Sequence, residues 1–229
     1  MSRSRSKRQI ITLSNPRSPI SESYRALRTN IDYSSVDDRV QVISVTSAGP
    51  GEGKTTTITN LAVTYAQSER KTILIDADLR KPTAHHSFYL SNQHGLSTVL
   101  AQRCSLMDAI QSTDIPNFDV ITSGAIPPNP AEMLGSKRMA ALIEQLRDVY
   151  DIILIDNPPL LAVTDAQIIA AQCDGTLLVV DQGRVKREIG KKAVANLENV
   201  KARILGVVLN NVKRKANEEA YYYYYGNQG

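Results

Sequence analysis

Six short apolar runs punctuate the chain: VQVISVTS (40–47), KTILIDAD (71–78), FDVITS (118–123), DIILID (151–156), GTLLVVD (175–181) and ILGVVLN (204–210). Val, Ile and Leu follow one another in them with little polar alternation. A strand with one face in water alternates, whereas a strand covered on both faces need not, and such strands belong to parallel sheets. Between the runs lie helical segments at 54–68, 136–148, 164–172 and 186–199. Strands alternating with helices predict an α/β domain, a doubly wound and mostly parallel sheet. Ligands of such sheets bind outside the carboxyl ends of the strands. The residues that end the runs therefore become candidates for chemistry.

An earlier segment, SPISESYRALR (18–28), reads as a helix beginning at Pro19. Ile20, Tyr24, Leu27 and Ile31 recur at helical spacing and are expected to face the core. Glu22, Arg25 and Arg28 step by three and form a charged stripe on another face. Taken alone, that stripe reads as a solvated surface.

With 229 residues, 42% of them hydrophobic, the chain can bury one substantial core, and no linker or repeat divides it. The expected layout is a basic, disordered arm over 1–17, a folded domain over 18–212 and a flexible tail over 213–229. The arm holds Arg3, Arg5, Lys7 and Arg8, but the formal charge of the whole chain is only +4. The arm reads as a solvated segment, and no nucleic-acid partner is expected. No apolar h-region follows it, so it does not read as a signal peptide. No apolar run approaches the roughly 20 residues of a membrane helix. Cys104 and Cys173 form no metal pattern, and three histidines give no case for zinc. The expectation is a reduced, cytoplasmic protein.

The first run ends in SAGPGEGKTTT (47–57). Gly49, Gly51 and Gly53, with Pro50 and Glu52 between them, lead into Lys54, Thr55 and Thr56 at the start of a helix. Glycines let backbone N–H groups crowd onto phosphate oxygens, and the helix N-terminus adds partial positive charge. Lys54 is placed to reach the β- and γ-phosphates, and the Thr55 hydroxyl to ligate Mg²⁺. The usual G-x-x-x-x-G-K-[ST] pattern is departed from once, with Ala48 in place of the first glycine. A purely structural glycine turn explains the strand–loop–helix context less well.

Two further runs end in carboxylates: Asp76 and Asp78, followed by Arg80, in ILIDADLR, and Asp156 in IILIDNPP. Residues two apart on a strand point the same way, so Asp76 and Asp78 are expected to converge on one metal–phosphate site. Asn210 and Asn211 end the last run and suit either an adenine edge or a turn. The chain closes with five consecutive tyrosines, Tyr221, Tyr222, Tyr223, Tyr224 and Tyr225, in a segment without other apolar side chains. Five adjacent rings cannot all be buried. They are either a passive tail or phenols displayed for chemistry.

These motifs together resemble the bacterial tyrosine kinases of capsule and exopolysaccharide synthesis, from about Ser18 to the end of the chain. SAGPGEGKTTT resembles their Walker A, ILIDADLRKP their Walker A′ and IILIDNPP their Walker B, with Asn157 where the family commonly has Thr. TSGAIPPNPAEML (122–134) and the E-x-x-R-x-x-R of ESYRALR also match, as does the tyrosine tail. Partitioning and septum-site ATPases share the fold but carry a second lysine where this chain has Gly49. A nucleotide-sensing scaffold without catalysis would not need Lys54, Thr55, Asp76, Asp78 and Asp156 intact.

The resemblance implies ATP-dependent phosphorylation of the chain's own tyrosine cluster and of other proteins. It implies ATP held by residues 49–56 with Asn210 and Asn211, and Mg²⁺ at Thr55, Asp156 and Asp76. Asp76 or Asp78 would serve as the base, with Asp76 favoured. It also implies a ring of subunits built on Glu22, Arg25 and Arg28. A separate membrane activator, holding the kinase at the membrane, and a cognate tyrosine phosphatase complete the expected partners.

Overall fold

The computed structural model describes residues 10–34 and 40–212. Along the chain run α1 (Ile11–Ser14), α2 (Pro19–Asp32), β1 (Val42–Ser47), α3 (Lys54–Ala66), β2 (Thr72–Asp76), α4 (Ala84–Phe88), α5 (Leu96–Leu100) and α6 (Leu106–Ala109). There follow β3 (Ile110–Ser112), β4 (Phe118–Ile121), α7 (Pro130–Leu134), α8 (Lys137–Arg147), β5 (Ile152–Asp156), α9 (Asp165–Ala170), β6 (Gly175–Asp181), α10 (Arg187–Asn199) and β7 (Ile204–Asn210). The strands form one sheet in the order β3-β4-β2-β5-β1-β6-β7. All neighbours are parallel except β3, which pairs antiparallel with β4. The six apolar runs are the six parallel strands. The three-residue β3 has too few residues to carry a pattern of its own.

Every residue of β1, β2 and β5 is buried, as continuous apolar runs require. Ile73, Ile75, Ile153 and Ile155 pack on one face against Leu142 and Leu146 of α8 and Ile169 of α9. Ile43, Val45, Leu74 and Leu154 pack on the other against Ile58, Leu61 and Tyr65 of α3 and Ile31 of α2. A smaller cluster of Ala166, Ala170, Leu178, Ala193 and Leu197 seats α9 and α10. The last run departs from the pattern. β7 is an edge strand, and its Val207 and Leu209 are exposed.

Two expectations at the N-terminal side need correction. The disordered arm does not extend to residue 17. α1 lies at Ile11–Ser14, and the buried Thr12 donates through its N–H and its hydroxyl to Asn60 Oδ1, at 3.1 and 3.0 Å. Ile10, Ile11 and Leu13 make too short an apolar run to announce a helix, and a side-chain amide on α3 holds the segment through Thr12. α2 does begin at Pro19, with Ser18 as its N-cap. Ile31 is buried and Tyr24 and Leu27 are half-buried, but Ile20 is exposed. Ile20 stands in the first turn, on an open groove between α2 and β7 that Tyr24, Leu27 and Val208 also line. Residues 1–9 and the tail over 213–229, with Tyr221–Tyr225, lie outside the described residues.

Candidate active site

β1 sits inside the sheet between β5 and β6, so the loop that follows it opens beside the carboxyl ends of both. Gly51 and Gly53 take the left-handed conformation there, with φ of +76° and +96°. Gly53 is the N-cap residue of α3 and has no side chain to occupy its first N–H groups, which leaves them for an anion. The loop is tied to neighbouring strand ends. Asn210 Nδ2, at the end of β7, donates to the Glu52 carbonyl at 2.9 Å. Arg184 Nη1 reaches the Gly51 carbonyl at 3.5 Å. Asn210 thus supports the P-loop, and Asn211 adopts a turn conformation with φ +56°.

Lys54 Nζ lies 3.3 Å from Asp78 Oδ2, 3.4 Å from Asp156 Oδ1 and 3.4 Å from the Thr55 hydroxyl. Burial works against its charge, but Asp156, Asp78 and Asp76 outweigh burial and hold the ammonium above its ordinary range. Asp76 and Asp156 are partners across the β2–β5 ladder. Burial, then the Asp156 charge, push the Asp76 carboxyl up to about 7. Burial pushes Asp156 up as well, and Lys54 pulls it back.

Asp78 reaches the site by a route the sequence did not suggest. β2 ends at Asp76, and the chain then turns, so pleat alternation does not set its direction. Asp78 N–H donates to Asp76 Oδ1 at 3.1 Å. The other oxygen of Asp76, Oδ2, accepts from the N–H groups of Thr83 and Ala84 at 3.1 and 3.0 Å. Both Asp76 oxygens are therefore engaged by the loop that follows β2. Asp78 keeps Oδ2 toward Lys54 and receives Lys81 N–H on Oδ1.

The donor set suits magnesium. Asp156 Oδ2 is buried with no hydrogen-bond partner, and the Thr55 hydroxyl is beside the same carboxylate. Among the described residues no group of three or more His, Cys, Asp or Glu could hold a metal outright. Mg²⁺ in phosphate sites usually takes one or two protein ligands and draws the rest from water and phosphate.

Three supports were not foreseen. Arg80 Nε and Nη2 form a bidentate pair with the fully buried Asp165 at 2.9 and 3.0 Å, which pins the loop after β2 to α9. An acid in the first turn of α9 was the available signal. Asn157 Nδ2 donates to Ser44 Oγ and to the Ile155 carbonyl, both at 3.0 Å, and so knits β5 to β1 below the site. Glu52 turns its carboxylate into the protein and accepts the N–H of Gly49.

The Glu22–Arg25–Arg28 stripe stands apart from this cluster. Arg25 Nη1 pairs with Glu22 at 2.8 Å, and its Nη2 donates to the Pro16 carbonyl at 2.7 Å. Arg28 Nη1 donates to the Thr64 carbonyl of α3 at 2.7 Å. Both arginines have contacts within the chain, and Glu22 remains exposed.

Comparison with known proteins agrees with this geometry. The AAA domain model (AAA_31) matches residues 40–206. Tyrosine-protein kinase YwqD of Bacillus subtilis (strain 168) is 46% identical over 223 residues, covering 97% of this chain and 93% of the relative. The crystal structure of the chimerical protein CapA2B2 superposes with a TM-score of 0.87 at 42% identity, covering 90% of each chain. The kinase domain of Escherichia coli tyrosine kinase ETK superposes equally well, with a TM-score of 0.87 at 38% identity over 91% of this chain and 82% of that one. A P-loop joined to Asp76 and Asp156 at strand ends and to Asp78 in the turn after β2, on a chain this close to YwqD, places the protein in the family of bacterial protein-tyrosine kinases.

Proposed function

We propose that this kinase transfers the γ-phosphoryl group of ATP to Tyr221–Tyr225 of its own kind and to tyrosines of other proteins, and thereby regulates capsular or exopolysaccharide synthesis. The observation that carries the proposal is Lys54 lying between Asp78 and Asp156, beside an orphaned Asp156 Oδ2. Lys54 turns from the carboxylates to the nucleotide phosphates, and the amides of the P-loop hold their oxygens. Thr55 and Asp156 are the residues to hold Mg²⁺, which supplies neutralisation of phosphate charge when bound. The phenol oxygen attacks the γ-phosphorus, the bond to the β–γ bridging oxygen breaks, and ADP leaves. The phenol proton passes to a carboxylate. The sequence favours Asp76 for that role, but its oxygens are occupied by three backbone N–H groups. We assign the role to Asp78, which Lys54 releases. Little covalent work falls to the protein, so position and charge neutralisation provide most of the rate.

Tyr221 follows Val212 by nine residues, a span of about 30 Å when extended, enough to enter this site or a neighbour's. In this reading Glu22, Arg25 and Arg28 hold subunits in a ring, and each tail enters the next active site. No helix among the described residues is long and apolar enough to cross a membrane. The CapA2B2 chimera joins elements of two proteins in its name. A separate membrane activator holding the kinase at the cytoplasmic face fits both observations, and a cognate tyrosine phosphatase would reset the tail. Incubation with labelled ATP and Mg²⁺ tests the assignment: wild type should gain label on tyrosine and Lys54→Met should gain almost none. Equal labelling of the two would refute it.

A further inference from the structure

Glutamate seldom leaves water. Glu52 lies in a loop built to hold phosphate, yet it is only 4% exposed. Its Oε1 accepts the N–H of Gly49, three residues earlier, and its buried Oε2 has no hydrogen-bond partner. Burial raises its pKa, the backbone N–H of Gly49 works against that, and the Asp181 carboxylate adds to the rise. Such a carboxylate is a burden on the empty fold. It also adds negative charge under an anion site. An apolar side chain there would pack without either penalty.

The surroundings are nonetheless shaped to it. A Cβ at Gly49 would come within 3.1 Å of Glu52 Oε1, and a Cβ at Gly53 would meet Asn210 Nδ2 at 2.0 Å. That same Asn210 amide holds the Glu52 carbonyl. Both ends of residue 52 are thus fastened, its carboxylate to the start of the loop and its carbonyl to β7. Between these fastenings lies Gly51, and glycine-rich segments lose the most conformational freedom when ordered.

We propose that Glu52 is a positioning residue for nucleotide binding: its carboxylate closes the P-loop on Gly49 and sets the loop in the shape that presents backbone N–H groups to phosphate. The inference rests on the P-loop being the nucleotide site. Without the brace the loop orders only as nucleotide binds, and affinity falls by the population of the competent shape.

A structural role and a positioning role differ in sign. Glu52→Ala removes a desolvated carboxylate and its repulsion with Asp181, so the nucleotide-free protein should melt at or above the wild-type temperature. Its affinity for ADP–Mg²⁺, titrated against a fluorescent ADP analogue with the full chain, should fall about tenfold. The KM for ATP should rise by a similar factor, with kcat within about twofold. Glu52→Gln keeps an oxygen for the Gly49 N–H and should recover most of that affinity. The proposal is overturned if Glu52→Ala binds as tightly as wild type, or if its weaker binding comes with a lower melting temperature. It is also overturned if Glu52→Gln is as weak as Glu52→Ala. Failure of wild type itself to bind ADP–Mg²⁺ would instead remove the nucleotide site on which the inference stands.

Discussion

Asp76 and Asp156 end neighbouring parallel strands as direct partners in the ladder, with both carboxylates sealed from water. Two acids so placed repel each other, and Lys54 supplies the countercharge. Removing Lys54 therefore does two things. Lys54→Met should abolish phosphotyrosine formation while the chain still folds. It should also lower stability more at pH 8 than at pH 6, because the uncompensated carboxylates then bind protons more strongly in the folded state. Denaturant titrations at the two pH values check this. An equal loss at both would contradict it.

The Asp76 carboxyl has a pKa of about 7 in the folded protein, against about 4 in an unfolded chain. Between those values the folded state holds a proton that the unfolded state has released. The contribution of Asp76 to stability thus falls as pH rises from about 4 to about 7, and stays low above that. Asp76→Asn removes the titration. The stability of the variant relative to wild type should rise across that window, measured by urea unfolding at unit pH steps. A difference that is flat with pH would refute the assignment.

The roles of the two Walker A′ aspartates separate by substitution. Asp78→Asn should lower kcat about a hundredfold or more and leave ADP affinity within a few-fold of wild type, since a base contributes on the order of 10²–10⁴ to rate. Asp76→Asn should change the loop over 77–84, which its oxygens hold. Steady-state kinetics with nucleotide titration decides between them. A full loss of kcat in Asp76→Asn with Asp78→Asn still active would return the base to Asp76.

How far the sequence carried depended on how local each signal was. Continuous Val, Ile and Leu runs announced the buried strands, because a parallel sheet covered on both faces demands them. The Gly51–Gly53–Lys54 spacing announced the phosphate cradle, because few other backbones need that pattern. Pleat alternation does not give the route of Asp78, since a turn after Asp76 replaces the pleat. Arg80–Asp165 and Glu52–Asp181 join segments far apart in the chain, so the sequence marks at most one member of each pair, such as the acid in the first turn of α9. The buried seat of Thr12 depends on Asn60, forty-eight residues away, and Ile10, Ile11 and Leu13 beside it are too few to signal it.

The Arg80–Asp165 pair should be unequal when its members are removed. Arg80→Ala leaves Asp165 buried and unpaired, and should lower stability by about 2 kcal/mol. Replacing both residues with alanine should recover part of that loss. A double-mutant cycle by thermal or urea unfolding measures the coupling, and additive effects would show that the pair does not hold the loop.

Each phosphotyrosine adds about −1.5 to −2 charges at neutral pH, so five would outweigh the formal +4 of the chain. Phosphorylation should then expel the tail from a site already holding ATP phosphates and dissociate the ring. With Tyr221–Tyr225 all changed to Phe, light scattering in ATP–Mg²⁺ should show an intact oligomer where wild type falls apart. Identical behaviour of the two would leave no place for the switch. Changing Glu22, Arg25 and Arg28 together to Ala should give a monomer. A triple variant that keeps the wild-type oligomer would remove the stripe from the interface.

The most direct test of the account is mass spectrometry of the full chain after incubation with ATP and Mg²⁺, beside the Lys54→Met variant. The account predicts phosphate on tyrosines among Tyr221–Tyr225 in wild type and nearly none in the variant. Wild type without phosphotyrosine in that cluster, or equal modification in Lys54→Met, would contradict it.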